Sequence, residues 1–257
     1  MGFFKKLRRK IFAGRYCAQQ SLIELKKISQ TLHDMKQALE QRPAAEKDSY
    51  LSVPGWFDFP EVYTRLAGLL RDGDCCVEVG SYLGQSCAFL GQQIKARKLN
   101  CLIYAVDHWK GNPDKDDHAA HRYPPVSIFH HFILNCQRTG VLDIVRPMES
   151  SSLAAAADFN HRARFIFIDA NHSYEAVCAD IDAWMKKLLP DGMMAGHDYY
   201  VDGVNWPGVK KAVDEKFSKF ELIGTCWMAR PSDYRPGPPR AEENAAEKVG
   251  GALGKAG

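Results

Sequence analysis

Residues 165–199 read FIFIDANHSYEAVCADIDAWMKKLLPDGMMAGHDYY, and this stretch decides the fold. Its first four residues are apolar, which predicts a strand covered on both faces, and the run stops at Asp169. A segment with apolar side chains at helical spacing follows, and then a second apolar run delivers His197 and Asp198. A right-handed strand–helix–strand unit has parallel strands. Asp169 and Asp198 are therefore expected at one edge of the sheet, where open α/β sheets bind ligands.

The ends of this unit can also be predicted. Ser173 is placed to cap the helix, and the apolar stripe extends to Leu188. The residues P-D-G at 190–192 are predicted to end the helix, with the second strand at 193–196. Elsewhere we predict a strand at 142–145 and a closing antiparallel hairpin over residues 220–229.

Composition limits the class of protein. The chain has 257 residues, 46% of them hydrophobic and 25% charged, which suits one α/β domain with appended sequence. A net charge of +3 is too small to predict a nucleic-acid partner. The eight cysteines include no C-x-x-C pair, so a reducing compartment is expected. We expect a cytoplasmic protein.

Both ends of the chain differ in composition from the middle. Residues 1–16 have the pattern of a basic amphipathic helix, which indicates peripheral contact with a membrane or a solvated terminus. An apolar stripe over residues 25–39 predicts either a short coiled coil that makes homo-oligomers or a helix packed on the domain. We therefore assign residues 1–50 to a helical extension with a linker, 51–230 to the domain and 231–257 to a disordered tail.

A glycine-bearing turn follows the first predicted strand, residues 75–79. It reads EVGSYLGQS from Glu78 and leads into a helix. A strand, a glycine turn and a helix start together expose backbone groups that a ligand can contact. A plain tight turn would have the same sequence pattern. The next strand ends at Asp107, which could accept both hydroxyls of a ribose or cap the next turn. Together the two features favour a cofactor that contains ribose.

The segment from 108 to 132 is long and irregular in pattern. Loops of this length are more often functional than decorative. We predict a lid that recognises the substrate.

Several motifs in this order resemble one enzyme family: E-V-G-S-Y-L-G-Q-S, Y-A-V-D-H-W-K-G, F-I-D-A-N-H-S-Y, P-D-G-M-M-A-G-H-D-Y and W-P-G-V. Over residues 56–230 the chain is similar to class I S-adenosylmethionine-dependent methyltransferases. In particular it resembles the metal-assisted sugar and small-molecule O-methyltransferases of the macrocin type. The resemblance implies a Rossmann-like α/β fold with a seven-stranded sheet and an antiparallel last hairpin.

The resemblance also implies roles at the cofactor site. Glu78 would hold the amino end of the methionine moiety, Gly80 and Gly84 would let backbone approach, and Asp107 would bind the ribose. The full set that it assigns to S-adenosylmethionine is Glu78, Gly80, Ser81, Gly84, Ser86, Asp107, His108, Ser150 and Asp169.

The methyl acceptor is expected beside Asp169 and Asp198. Asp169 and Asp198 are the expected ligands of Mg²⁺ or Mn²⁺, with His197 as a third, because hard oxygen donors suit such ions and an imidazole admits Mn²⁺. His197 stands where the macrocin type has a second carboxylate, which is a departure from the family. His172 is expected to accept the proton of the acceptor hydroxyl, and helix capping is its alternative role.

Two other functions are consistent with parts of the pattern. A nicotinamide-dependent oxidoreductase would use the glycine turn and Asp107, but the third glycine of G-x-G-x-x-G is missing. A non-catalytic scaffold organised by residues 25–39 leaves the acidic strand ends unexplained. We therefore expect a small-molecule acceptor, a sugar or glycolipid, and no nucleic acid.

Overall fold

The computed structural model describes residues 48–111 and 127–237. Strands and helices alternate along this part of the chain. In order they are α1 (Pro60–Leu69), β1 (Cys75–Val79), α2 (Gln85–Ala96), β2 (Leu102–Asp107), α3 (Ile128–Arg138), β3 (Val145–Glu149), α4 (Ser152–Asp158), β4 (Ala163–Ile168), α5 (Tyr174–Met185), β5 (Leu188–Gly196), α6 (Pro207–Lys216), β6 (Glu221–Ile223) and β7 (Cys226–Ala229). Short 3₁₀ turns lie at Tyr50–Ser52 and Pro231–Asp233.

The seven strands form one sheet in the order β3-β2-β1-β4-β5-β7-β6. Strands β1 to β5 pair in parallel, whereas β7 is antiparallel to β5 and β6 is antiparallel to β7. This confirms the predicted Rossmann-like sheet with an antiparallel last hairpin. Strand order reverses between β1 and β4, and at such a point a crevice opens at the carboxyl ends of the strands.

Strand β4 lies at the centre of the core, since all six of its residues are buried. Phe165 and Phe167 belong to an apolar cluster with side chains of α1, α2 and α3. Ile166 and Ile168 belong to the cluster on the opposite face, with side chains of α5 and α6. Burial of each of these four side chains contributes about 1.5–3 kcal/mol, which explains the apolar run at residues 165–168.

The third strand was predicted too early. Residues 142–144 belong to the turn after α3, where the Val141 N–H donates to Cys136 O at 2.8 Å and the Ile144 N–H donates to Val141 O at 3.0 Å. The strand itself is β3, at Val145–Glu149. It lies at the sheet edge and is half-exposed, so a continuous apolar run does not mark it.

The strand after α5 starts earlier than predicted. The helix ends at Met185, and β5 begins at Leu188 rather than at residue 193. Pro190 and Asp191 are exposed within β5, where the pairing with β4 shifts register. Such irregularities are the places where a strand tolerates proline, so P-D-G marks a bulge here and not the helix end.

Helix α3 begins inside the segment that was predicted to be irregular. Ser127 caps it, with Oγ accepting a hydrogen bond from the His130 N–H at 3.3 Å. Phe132 is fully buried and packs on the Trp109 ring, with centroids 4.8 Å apart. The prediction was therefore wrong for residues 127–132, while residues 112–126 lie outside the described part.

The domain is longer at both ends than the predicted 51–230. The Asp48 N–H donates to Arg138 O at 3.1 Å. The Tyr234 hydroxyl donates to Asp182 at 2.7 Å, and the Arg235 N–H donates to Lys216 O at 2.7 Å. Residues 231–237 are thus packed on the domain and not part of a disordered tail.

The remaining predictions for the chain ends concern residues outside the described part: the basic segment 1–16, the apolar stripe 25–39 and the tail after residue 237. Within residues 48–111 and 127–237, no helix combines the length and the apolar character that crossing a bilayer requires.

Gly80 allows the ends of β1 and β4 to meet. Its φ is +95°, and its N–H donates to Val106 O at 2.8 Å. A Cβ at this position would lie 1.9 Å from the carbonyl oxygen of Asp169. The carbonyl belongs to backbone that β4 holds in place, so only glycine fits.

We predict that Gly80→Ala lowers the free energy of unfolding by about 3 kcal/mol or more, through steric overlap and an unfavourable φ. Urea unfolding measures this. Gly68→Ala in α1 is the matched control, because an added Cβ there meets nothing within 4 Å. The control should be neutral or stabilise the protein by up to about 1 kcal/mol. Equal midpoints for the two variants would contradict this account of the turn.

Asp180 is a buried acid between α5 and α4. It is 4% exposed, and burial raises the pKa of its carboxyl to about 6, against a hydrogen bond from Ser152 that lowers it. Ser152 also accepts a hydrogen bond from Trp184 Nε1 at 2.9 Å. Because the folded pKa exceeds the ordinary value of 3.8, ionisation of Asp180 opposes folding increasingly as the pH rises from 3.8, and the cost is complete above about pH 6.

We predict that Asp180→Asn stabilises the protein at pH 7.5 by about 1–3 kcal/mol and by about a third as much at pH 4.5. The asparagine keeps the shape of the side chain but never acquires the charge. Urea unfolding of both proteins at the two pH values gives the difference. An effect that does not change between pH 4.5 and 7.5 would show that ionisation is not its cause.

Candidate active site

The glycine turn and the end of β2 are joined through Asp107. Its carboxylate accepts the Tyr82 N–H at 2.9 Å and the Trp109 N–H at 2.7 Å, and Trp109 Nε1 donates to Tyr82 O at 2.7 Å. Asp107 therefore stabilises two turns at the carboxyl edge, which fits its alternative role as a turn cap. Carboxylate oxygens accept more than one hydrogen bond each, so ribose hydroxyls could still bind. His108 is exposed beside it, with Nδ1 at 3.8 Å from Asp107 Oδ1.

Glu78 is turned into the protein and is 2% exposed. The Tyr63 hydroxyl donates to Oε2 at 2.5 Å and the Cys87 thiol donates to Oε1 at 3.0 Å. Burial raises the pKa of Glu78, and hydrogen bonds from these groups and from Ser86 and Ser81 oppose that rise. Both oxygens thus have internal partners, which the sequence did not predict.

The other residues assigned to the cofactor line the same edge. Gly84 has φ +87° and precedes α2, with an added Cβ only 3.0 Å from the Phe132 ring. Ser81 is buried and Ser86 lies in the first turn of α2. The Ser150 N–H donates to Asp107 O at 3.0 Å, which places Ser150 after β3.

A second group of side chains lies at the ends of β4 and β5. Asp169, His172 and Asp198 each offer a ligand atom, and these atoms lie within 4.8 Å of one another. His172 Nε2 is 2.7 Å from Asp198 Oδ2 and 3.7 Å from Asp169 Oδ1. All three side chains are less than a quarter exposed. The expected proximity of residues 169 and 198 is therefore found.

His172 is held by its neighbours. Burial disfavours the charged imidazole, but the carboxylates of Asp169 and Asp198 outweigh burial and raise the pKa of His172 to about 9. The Trp206 ring stacks on the imidazole with centroids 4.2 Å apart at 29°. Gly208 makes this contact possible, because an added Cβ would lie 2.5 Å from His172 O. His172 is thus protonated at neutral pH in this arrangement.

His197 lies on the other side of the two carboxylates. Its Nδ1 is 3.7 Å from Asp169 Oδ2 and 3.6 Å from Asp198 Oδ1. Its Nε2 is 2.8 Å from Thr225 Oγ1 and 3.3 Å from Asp58 Oδ1. Nδ1 therefore faces Asp169 and Asp198, the carboxylates with which His197 was expected to share a metal. Nε2 faces Thr225 and Asp58 instead. His172, expected only as the base, joins Asp169 and Asp198 in the group whose ligand atoms all lie within 4.8 Å of one another.

Sequence reasoning missed three contributors to this site, Asp58, Trp206 and Thr225. Asp58 belongs to the aromatic segment 53–59, whose Phe59 ring lies 4.6 Å from the His197 ring. Trp206 precedes Pro207, and its φ of +45° marks it as an unusual helix start. Only the W-P-G-V motif gave a signal in the sequence.

Comparison with known proteins gives a match over the part of the chain that contains the glycine turn and both acidic strand ends. Residues 77–199, just under half of the chain, match the family model described as a methyltransferase domain. The chain is 28% identical over 156 residues to "Uncharacterized protein y4gI" of Sinorhizobium fredii (strain NBRC 101917 / NGR234). That match covers 58% of this chain but 16% of the relative, so the chain spans about a sixth of its length.

Solved structures share the fold at low identity. The O-methyltransferase NovP superposes with a TM-score of 0.53 at 18% identity, over 66% of this chain and 78% of NovP. The calicheamicin methyltransferase CalS11 superposes with a TM-score of 0.50 at 15% identity, over 79% of this chain and 91% of CalS11. Residues 77–199 are thus similar in sequence to a methyltransferase domain, and the described part of the chain shares the fold of NovP and CalS11.

Proposed function

We propose that the protein transfers a methyl group from S-adenosylmethionine to a hydroxyl of a sugar or glycosylated small molecule, assisted by a divalent cation. The proximity of Asp169, His172 and Asp198 to the glycine turn carries this proposal. S-adenosylmethionine supplies an electrophilic methyl on a sulfonium. The protein must hold the acceptor oxygen opposite that methyl and remove its proton.

On the donor side, Asp107 would accept the ribose hydroxyls, and Gly80 and Gly84 leave room for the cofactor beside bare backbone. His108, Ser81, Ser86 and Ser150 lie along the same edge and would complete the cofactor site. Glu78 has no free oxygen facing solvent, so we assign it to hold the turn in place rather than to pair directly with the methionine ammonium.

The residues at the ends of β4 and β5 fit a divalent cation. Two carboxylates and an imidazole, each partly buried, offer hard oxygen and borderline nitrogen donors within 4.8 Å. Asp169 and Asp198 would hold Mg²⁺ or Mn²⁺, with His197 Nδ1 as the nitrogen donor. A bound cation would lower the pKa of the acceptor hydroxyl and fix its orientation.

His172 would take the proton of the acceptor hydroxyl. It can do so only as neutral imidazole, while the two carboxylates alone keep it protonated. A positive charge beside Asp169 and Asp198 would weaken that effect, which agrees with a metal-assisted reaction. Trp206 restricts the imidazole to one orientation by stacking on it.

The surroundings of the acidic cluster support a sugar as acceptor. Asp58 is 74% exposed beside His197 and can bind hydroxyls. Trp56 is equally exposed and contacts the Tyr82 ring at 5.3 Å, which gives an aromatic face near the glycine turn. Polar groups beside an aromatic face suit the two sides of a sugar ring.

Further features of the protein remain proposals. A cytoplasmic location with peripheral membrane contact through residues 1–16, a homo-oligomer through residues 25–39 and the lack of a nucleic-acid partner rest on sequence composition. The methyltransferase family match counts against the nicotinamide-dependent oxidoreductase and the scaffold.

We predict that calorimetry detects binding of S-adenosylmethionine but not of NADH. Asp107→Ala should weaken the binding about 100-fold, because two charge-assisted hydrogen bonds to ribose are lost. Asp107→Asn keeps one acceptor oxygen and should lose less. Asp72→Ala is the control, since Asp72 also accepts a backbone N–H, from Asn100 at 2.8 Å, but lies before β1 at the opposite edge. Equal affinity in the Asp107 and Asp72 variants would refute the ribose role.

We predict that Mn²⁺ binds the protein and that Asp169→Asn and Asp198→Asn each weaken binding about tenfold or more, through loss of a negatively charged ligand. Titration calorimetry or the Mn²⁺ resonance signal measures this without an acceptor. Asp202→Asn is the control, because Asp202 is exposed, lies four residues after Asp198 and bonds to the Val204 N–H. Unchanged affinity in all three variants would remove the metal from the mechanism.

A further inference from the structure

The indole N–H of Trp227 is a buried donor with no hydrogen-bond partner among the described residues. Trp227 lies on β7 and is 1% exposed. A buried donor without a partner costs about 1–3 kcal/mol, and buried tryptophans usually avoid this. Trp184 is as deeply buried, yet its Nε1 donates to Ser152 at 2.9 Å. The Trp227 N–H therefore needs a hydrogen-bond acceptor that the described residues do not supply.

The Trp227 ring cannot turn to find another partner. Trp227 pairs with Gly196 across the strands, and a Cβ on Gly196 would lie 2.6 Å from Cζ2 and 2.7 Å from Cε2 of the indole. The Phe217 ring packs on the indole with centroids 5.4 Å apart. Since Cε2 carries Nε1, close packing fixes the direction of the N–H.

The indole borders a small hollow beneath the acidic cluster. The volume of this hollow is about 10 Å³, which is close to what one water molecule needs. Both polar and apolar side chains line it. The lining residues are Ile168, Asp169, Ala170, Asn171, His172, Val177, His197, Val209 and Trp227.

A second polar atom of the hollow also lacks a directed hydrogen bond. His172 Nε2 is buried and makes no hydrogen bond among the described residues, and its contact with Asp198 Oδ2 at 2.7 Å is a charge pair. Trp227 and His172, the residues that carry these two atoms, thus line the same hollow. A buried water typically makes two to four hydrogen bonds to groups of this kind.

We propose that one water molecule occupies this hollow and makes Trp227 a positioning residue of the active site. The water accepts the Trp227 N–H and the His172 Nε2–H, and it donates towards Asp169 and Asn171. It ties the 169–172 turn to β7, which holds the histidine and the carboxylate against the sheet. This role rests on the proposed function, because it matters only if these side chains hold a cation or a proton.

A high-resolution crystal structure of the wild-type protein tests the water directly. We expect a solvent peak about 2.7–3.2 Å from Trp227 Nε1. Trp227→Phe removes the donor and should lose the peak. A wild-type hollow without density, in a map that shows other buried waters, would overturn the proposal, as would a peak that persists unchanged in Trp227→Phe.

Mn²⁺ affinity tests the positioning role. Trp227→Phe should bind Mn²⁺ several-fold more weakly than the wild type, whereas Trp184→Phe should match the wild type. The control makes the same change in size and loses a hydrogen bond, but Ser152 and Trp184 lie away from the hollow. Urea unfolding confirms that both variants are folded. Equal Mn²⁺ affinity in the two variants would refute the positioning role.

The two proposals can fail separately. If the wild-type protein does not bind Mn²⁺, the metal part of the proposed function is wrong, and the crystal structures still decide whether Trp227 holds a water.

Discussion

Three backbone hydrogen bonds that continue past the strand ends hold the active edge together. The Gly80 N–H donates to Val106 O, the Asp169 N–H to Val79 O and the His197 N–H to Ile168 O, at 2.8, 2.8 and 3.1 Å. Each bond extends the parallel pairing by one step, so the first residue after each strand is placed as firmly as the strand itself. A slip of one residue would turn every buried side chain of β4 to the wrong face, and the core therefore protects the register of the site.

That register brings two carboxylates together at the edge of a mostly apolar sheet. Two like charges about 4 Å apart repel by about 4 kcal/mol at the effective dielectric of such a place. The protein offsets this with positive charge, and His172 supplies one when it is protonated. A cation bound there would compete with the proton on His172 for the same two carboxylates. In the reaction proposed above, the imidazole would give up its proton when a cation is bound and could then accept one from a substrate.

The features that could be predicted from the sequence are those set by residues close together in the chain. β1, β4 and the last hairpin follow from short apolar runs, and the acidic strand ends follow from parallel connection alone. The starts of β3 and β5 do not, because an edge position and a bulge are set by pairing with distant strands. Glu78 was placed at the correct strand end, but its inward direction depends on Tyr63, fifteen residues away in α1. Asp58 and Trp206 reach the site from loops whose contacts no local pattern encodes.

Backbone strain gives an independent indication of where the function lies. Among the described residues other than glycine, positive φ occurs at Tyr82, Lys98, Trp109, Asp198 and Trp206. Such conformations cost about 1–3 kcal/mol each and persist only where surrounding contacts determine them. All but Lys98 lie at the carboxyl edge of the sheet, two beside Asp107 and two beside His172. Tyr82 and Trp109 hold each other through Asp107, and Trp206 is held by its stack on His172. The strain thus lies both where we propose that the cofactor binds and where we propose that the acceptor binds, which is expected if both halves of one reaction must be held rigid before the substrates arrive.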